Sequence, residues 1–252
     1  MKINSNSRSE PLVCEAATPR LREPCPLCDG MAGFLVAAAG RWLYACPQCD
    51  LWFVPAAQHW SVADEQARYR LHCNRLDDTG YTSFLQPVIN CVAALDFKDS
   101  TRHPEVLDYG CGPTPVLVEM LQRAGFPAVG YDPAFAPALD PRRRFDVVVS
   151  TETIEHFRCP RDDWTALAAH VRPGGTVVTM TELHDDVQDP SRWAYANDGT
   201  HVAFYSTRTM ACLAERLGWK LAVCDRRRLS VFNAMPSRVH SVVARPTAQP
   251  AR

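Results

Sequence analysis

Residues 151–157 read TETIEHF and follow the apolar run Val147-Val148-Val149. Glu152, Glu155 and His156 therefore stand at the end of an expected buried strand. If a helix begins there, these positions share one face, because residues three and four apart are neighbours. Two carboxylates and an imidazole suit a hard or borderline divalent ion with open positions, such as magnesium or manganese. His201, from a later loop, is the candidate fourth ligand. Without an ion, Glu155, His156 and His201 remain candidate catalytic groups that could move a proton or position an acceptor. The plainer alternative is a Glu-His pair that holds loops together. Tyr69, His72 and Tyr81 come from a segment that could close over this point, though packing is the commoner use of such residues.

Four cysteines form a second constellation. Cys25-x-x-Cys28 and Cys46-x-x-Cys49 are separated by seventeen residues. Paired CxxC knuckles at this distance match a zinc ribbon, in which both thiolates of each knuckle reach one tetrahedral ion. A segment this short buries too little core to fold without such a staple. A redox pair would be expected beside a βαβ unit, and these are not. The other cysteines, at 14, 73, 91, 111, 159, 212 and 224, show no ligand spacing and suit small buried positions.

A third constellation is LDYGCGPTP, residues 107–115. Gly110 and Gly112, with Cys111 between them, let backbone pass closely beneath a ligand. Pro115 stands where a dinucleotide fingerprint has its third glycine, and Asp108 would repel a pyrophosphate. A carboxylate there suits a ligand that carries an ammonium group, such as S-adenosylmethionine. Asp132 follows Gly112 by twenty residues, at the end of the next expected strand, where it can accept from both ribose hydroxyls. The alternative is that Asp108 and Asp132 are ordinary turn residues.

The elements that must carry these groups alternate. Strands are expected at 106–109, 128–132, 145–150 and 176–180, with a closing pair at 219–224 and 229–234 around Arg226-Arg227-Arg228. Helices are expected through Val116–Leu121, over Thr207–Leu217, and from Asp162-Asp163 with Trp164, Leu167 and Val171 on one face. This is an open α/β sheet that ends in an antiparallel hairpin. Residues 61–98 read as two helices, the first opened by a capping pattern at Ser61 and Asp64. The aromatic stretch 193–206 could wall an acceptor pocket with Trp193, Tyr195, Phe204 and Tyr205, or pack on itself.

The 252 residues carry a formal net charge of −1, so there is no electrostatic case for nucleic acid or a membrane as an obligatory partner. The polar N-terminus lacks the apolar core of a signal peptide, and no apolar stretch is long enough to span a bilayer. Eleven cysteines then point to a reducing cytoplasm.

LDYGCGPTP, GYDP, FDVVVSTETIEHF and VRPGGTVV together resemble the successive motifs of class I S-adenosylmethionine-dependent methyltransferases, over about residues 104–235. With the cysteine pairs, the chain resembles bacterial zinc-ribbon methyltransferases. The resemblance implies a Rossmann-like doubly wound sheet preceded by a small ribbon. It implies cofactor contacts from Asp108, Gly110, Cys111, Gly112 and Asp132, and from Thr151 and Glu152. The pattern Glu-x-x-Glu-His is also similar to the metal motif of ubiquinone-biosynthesis O-methyltransferases and, with a later histidine, of small-RNA 2′-O-methyltransferases. One departure stands out: only twelve residues, rich in proline, separate Asp132 from Phe145, where the family has a third strand and helix. Asp140 is the only acidic candidate there for an adenine contact.

The expected organisation is a tail over 1–20, a zinc ribbon over 21–60, a helical lid over 61–100 and a methyltransferase domain over 101–246. The expected reaction is methylation, at oxygen first and otherwise at nitrogen or carbon, of a small-molecule or carrier-bound acceptor. The alternatives are an RNA methyltransferase whose ribbon touches its substrate and a non-catalytic S-adenosylmethionine-binding module.

Overall fold

The computed structural model describes residues 18–71, 74–97 and 102–235. His72, Cys14, Cys73, the expected tail up to residue 17 and the C-terminal RPTAQPAR lie outside them.

The larger sheet is built on Val106–Tyr109 (β5), Ala128–Tyr131 (β6), Phe145–Thr151 (β7), Val171–Met180 (β8), Trp219–Cys224 (β10) and Leu229–Ala234 (β11). Its order is β10-β11-β8-β7-β5-β6. β6, β5, β7 and β8 run parallel, while β11 and β10 close the sheet antiparallel, as expected. The chain leaves β5 on one side for β6 and returns on the other for β7. A crevice therefore opens at the carboxyl ends of β5 and β7, where ligands bind in doubly wound sheets.

Both faces of this sheet are covered, which is why β7 carries the unbroken run Val147-Val148-Val149 at its centre. Val147 and Val149 face Thr79–Ala93 (α2) and Val116–Arg123 (α3), whereas Val148 and Phe145 face the layer of Pro160–Ala168 (α4) and Thr207–Leu217 (α6). Ser206 and Thr209 make a reciprocal capping box on α6, and Gly218 ends it at φ +66°. Val62–Tyr69 (α1) begins at Ser61, whose hydroxyl accepts the Asp64 amide.

The smaller sheet runs through Arg22–Pro24 (β1), Met31–Ala38 (β2), Arg41–Ala45 (β3) and Trp52–Phe53 (β4). Its fifth strand, Ala203–Phe204 (β9), comes from the far side of the chain. The two cysteine knuckles are equivalent turns: the amides of Asp29 and Asp50, both at φ +62°, return to the carbonyls of Cys25 and Cys46.

Three local expectations change. Val171 belongs to β8 and pairs with Phe145 rather than extending α4, which stops at Ala168 because the chain must turn into the sheet. Residues after β7 form a single 3-10 turn, Ile154–His156, rather than an α-helix. Glu152 precedes it at φ +46°, so the face-sharing argument does not apply to that residue. Between β6 and β7 the segment folds back on itself through an Asp132–Ala136 bridge, and its prolines withhold the amides another strand would need.

Candidate functional site

A cavity of about 920 Å³ opens over the carboxyl ends of β5, β6 and β7. One end is the glycine turn. The amides of Gly110 and Cys111 both donate to the Tyr131 carbonyl, at 2.7 and 3.1 Å, drawing the turn onto the next strand. Gly110 sits at φ +91°, and a Cβ there would lie 2.2 Å from the methyl of Thr153. Only glycine fits. Gly112, at φ +64°, donates its amide to Asp132 Oδ2 at 3.1 Å.

Asp132 is also a turn residue: its Oδ1 accepts the amides of Ala134 and Phe135. It still lines the cavity, and Oδ2 keeps a lone pair free to accept from a ligand. Asp108 is different. It is 2% exposed, and its Oδ1 has no hydrogen-bond partner among the described residues. Burial, helped by the charge of Asp132, raises its carboxyl to about 7. An unpaired buried carboxylate at the wall of a cavity is a receptor for a cation. Cys111, Thr151 and Glu152 line the same space; Asp140 does not, being exposed and capping the Arg142 amide.

The other end gathers Glu155, His156 and His201, whose ligand atoms all lie within 4.8 Å of one another. Glu155 is fully buried. Thr181 donates to its Oε2 at 2.9 Å, and the Tyr195 hydroxyl, 2.9 Å from Thr181 Oγ1, completes a relay. Glu155 Oε1 has no hydrogen-bond partner among the described residues and stands 3.9 Å from His156 Nε2. The Nδ1 atoms of His156 and His201 face the carbonyls of Thr200 and Tyr195, at 3.0 and 2.8 Å. A carbonyl only accepts, so each Nδ1 carries hydrogen and each Nε2 presents its lone pair when the ring is neutral. Burial pushes the His201 imidazole down, favouring that neutral form. Backbone-anchored imidazoles beside an unpaired carboxylate are the donor set of a divalent metal site.

Glu152 is not part of that cluster. Burial, and then the neighbouring Glu155, raise its carboxyl well above the usual carboxylate range. Tyr69 and Tyr81 line the cavity, with Tyr69 edge-on to His156 at 5.3 Å. Of the four aromatic residues named in 193–206, Tyr195 alone lines it; Phe204 and Tyr205 are fully buried in the core, and Trp193 packs edge-on against Trp52. Arg226 and Arg228 stand 3.9 and 3.8 Å from Asp186 and Glu182. Thr181 and Asp163, both in or beside the site, were not singled out by sequence; each is an ordinary polar residue near an element end.

In the ribbon, Cys25, Cys28, Cys46 and Cys49 bring their sulfurs within the same 4.8 Å limit. The Cys25–Cys49 and Cys28–Cys46 separations are 3.6 and 3.4 Å. A tetrahedral zinc with bonds of about 2.3 Å spaces its sulfurs about 3.8 Å apart. The hydrogen bond between Cys25 and Cys49 lowers the Cys25 thiol and raises that of Cys49, so Cys25 is the sulfur of the pair that ionises first. The donor set fits zinc.

A family model described as a methyltransferase domain matches residues 83–222. No curated protein sequence matches the chain. Among solved structures, it is similar to an O-methyltransferase family protein from Burkholderia thailandensis, at 18% identity over 69% of this chain and 63% of that one, with a TM-score of 0.47. The chain thus spans less than two thirds of that protein's length. It is also similar to the PH0226 protein of Pyrococcus horikoshii, at 16% identity over 67% and 98% of the two chains and a TM-score of 0.46. A third is magnesium protoporphyrin IX methyltransferase from Synechocystis with bound S-adenosylmethionine, at 12% identity over 69% and 92%, with a TM-score of 0.44.

Proposed function

Because the chain belongs to the methyltransferase-domain family and is a class I S-adenosylmethionine-dependent methyltransferase, we propose that it methylates a hydroxyl of a small or carrier-bound acceptor. S-adenosylmethionine, when bound, supplies an electrophilic methyl group on a sulfonium. The observation that carries the cofactor side of the reading is Asp108, a buried carboxylate with an unpaired oxygen, beside a turn that only glycine can make; the acceptor side rests on the Glu155, His156 and His201 cluster. Asp108 takes the cofactor ammonium, the Gly110–Gly112 backbone passes beneath it, and Asp132 accepts from the ribose. Thr151 and Glu152 border the reacting end.

A divalent ion fits Glu155, His156 and His201, and would lower the pKa of an acceptor hydroxyl. The residues themselves hold the geometry: Thr181 and Tyr195 fix Glu155, and backbone carbonyls fix both imidazoles. The ribbon holds a structural zinc on Cys25, Cys28, Cys46 and Cys49, since four thiolates leave no position for water. RNA fits less well. The cavity is lined by eight carboxylate residues (Glu65, Asp108, Asp132, Glu152, Glu155, Asp163, Glu182, Asp198) and a single arginine, Arg158, so it lacks the cluster of cations that would hold phosphates.

The test uses methyl-labelled cofactor with a metabolite extract. Labelled small-molecule product supports the reading. Labelling abolished by nuclease treatment moves the acceptor to RNA, and cofactor binding without any transfer leaves a binding module. Full activity after exhaustive chelation, with the ribbon zinc retained, removes the second ion and leaves His156 and His201 as proton-transfer or positioning groups.

A further inference from the structure

Arg41, on ribbon strand β3, is 6% exposed, yet the groups its side chain bonds are neither carboxylates nor part of the ribbon. Its guanidinium donates to four backbone carbonyls. Nη1 reaches Gly199 and His201 at 2.9 and 2.8 Å; Nη2 reaches Ala196 and Asp198 at 2.7 and 2.5 Å. These carbonyls end the short helix Ala194–Asn197 (α5) and form the turn that follows it. Helix ends leave carbonyls without internal partners, and a cation there is favourable.

The same turn holds the acceptor end of the cavity. Thr200 offers the carbonyl that fixes His156, Tyr195 offers the one that fixes His201, and Tyr195 also begins the relay to Glu155. Ribbon-side contacts press it from elsewhere too. β4 pairs with β9 immediately after it, the Val54 amide donates to Val202 at 2.9 Å, and the Trp60 ring lies where a Gly199 Cβ would be, 2.1 Å away. None of the four partners of Arg41 belongs to the glycine turn or to Asp132.

We infer that Arg41 is a positioning residue: through it, the ribbon sets the turn that orients His156 and His201, while the cofactor end is built independently by β5 and β6. This rests on reading the Glu155–His156–His201 end as the acceptor side. Lysine cannot replace it, because one ammonium offers three donors from a single atom and cannot fork across four carbonyls. The ribbon is then part of the catalytic architecture, and damage to it should be felt at the acceptor end first.

The experiment compares the full chain with Arg41→Lys, Arg41→Ala and, as a second route to the same turn, Gly199→Ala. Backbone amide exchange is followed over 194–204, and S-adenosylmethionine affinity is measured by calorimetry. The expected result is exchange at least tenfold faster over that segment in each folded variant, with cofactor affinity within about twofold of wild type and methyl transfer to the metabolite extract at least tenfold lower. Asp132→Asn should show the reverse, weakened affinity with unchanged exchange. Unchanged exchange in Arg41→Lys and Gly199→Ala would overturn the inference. So would cofactor affinity falling in step with it, since Arg41 would then support the whole fold. If the wild type transfers no methyl group, the acceptor reading fails alone, and exchange and affinity still decide the role of Arg41.

Discussion

Asp108 is the residue whose chemistry the protein leaves least complete. Its carboxyl is raised to about 7 by burial and by Asp132, so in the free protein it gains its proton as pH falls through that value. Only the ionised form pairs with an ammonium. Cofactor affinity should therefore weaken by about tenfold per pH unit below that point and level off above it. Asp108→Asn should bind more weakly at high pH and lose this dependence; a variant that kept the wild-type pH profile in calorimetry would count against the assignment. Gly110 gives a second prediction of another kind. Gly110→Ala puts a methyl into the side chain of Thr153 at φ +91°, and should cost about 2–4 kcal/mol in denaturant unfolding. Thr153→Ala in the same chain removes the two nearest atoms of the clash but leaves the residue 153 Cβ at 2.8 Å and the backbone strain, so the double variant should recover only part of the loss.

Among elements, α6 shows how one hydroxyl serves two parts of the molecule. Ser206 caps the helix by accepting the Thr209 amide at 3.1 Å, and donates to Asp50 Oδ2, next to the second knuckle, at 2.7 Å. Ser206→Ala should lose about 1–2 kcal/mol of stability, the upper half of the range for a cap, because the bond to Asp50 is lost as well. Asp50→Ala alone should reproduce only part of that loss, and equal losses in both variants would assign the whole effect to the bridge. The 3-10 turn Ile154–His156 makes a related point. It is too short to present a helical face, so the grouping of Glu155 with both histidines depends on Thr181, Tyr195 and the 199–201 turn rather than on its own periodicity.

For the whole molecule, ribbon and α/β sheet form one packed body. β9 completes the ribbon sheet, Trp52 stacks on His184 at 3.8 Å, and Arg208 donates to the carbonyls of Pro47 and Gln48 in the second knuckle. The boundary expected near residue 60 divides the chain but not the space. Zinc should accordingly matter beyond the ribbon. Elemental analysis of protein purified without chelator should find one zinc per chain, lost in Cys49→Ser together with cooperative unfolding at the wild-type temperature. Finding no zinc while the 21–60 region keeps its exchange protection would exclude the structural metal. No helix among the described residues is long and apolar enough to cross a membrane.

Much of this was legible in the chain alone, because it rests on local physics. CxxC spacing, glycines at positive φ, β-branched runs and capping residues each act within a few positions, and so the parallel sheet, the closing hairpin, the two knuckles and the glycine turn could all be read in order. Asp108, Gly110, Gly112 and Asp132 belong to that class. What only tertiary structure decided involves partners far apart in sequence. Glu155 reaches His201 across more than forty residues, Arg41 reaches His201 across 160, and Glu152 leaves the cluster because its backbone turns left-handed at the strand end. The sequence allowed Phe204 and Tyr205 to be pocket walls as readily as core. Burial chose the core, since β9 had to pair with a ribbon strand from the other end of the chain.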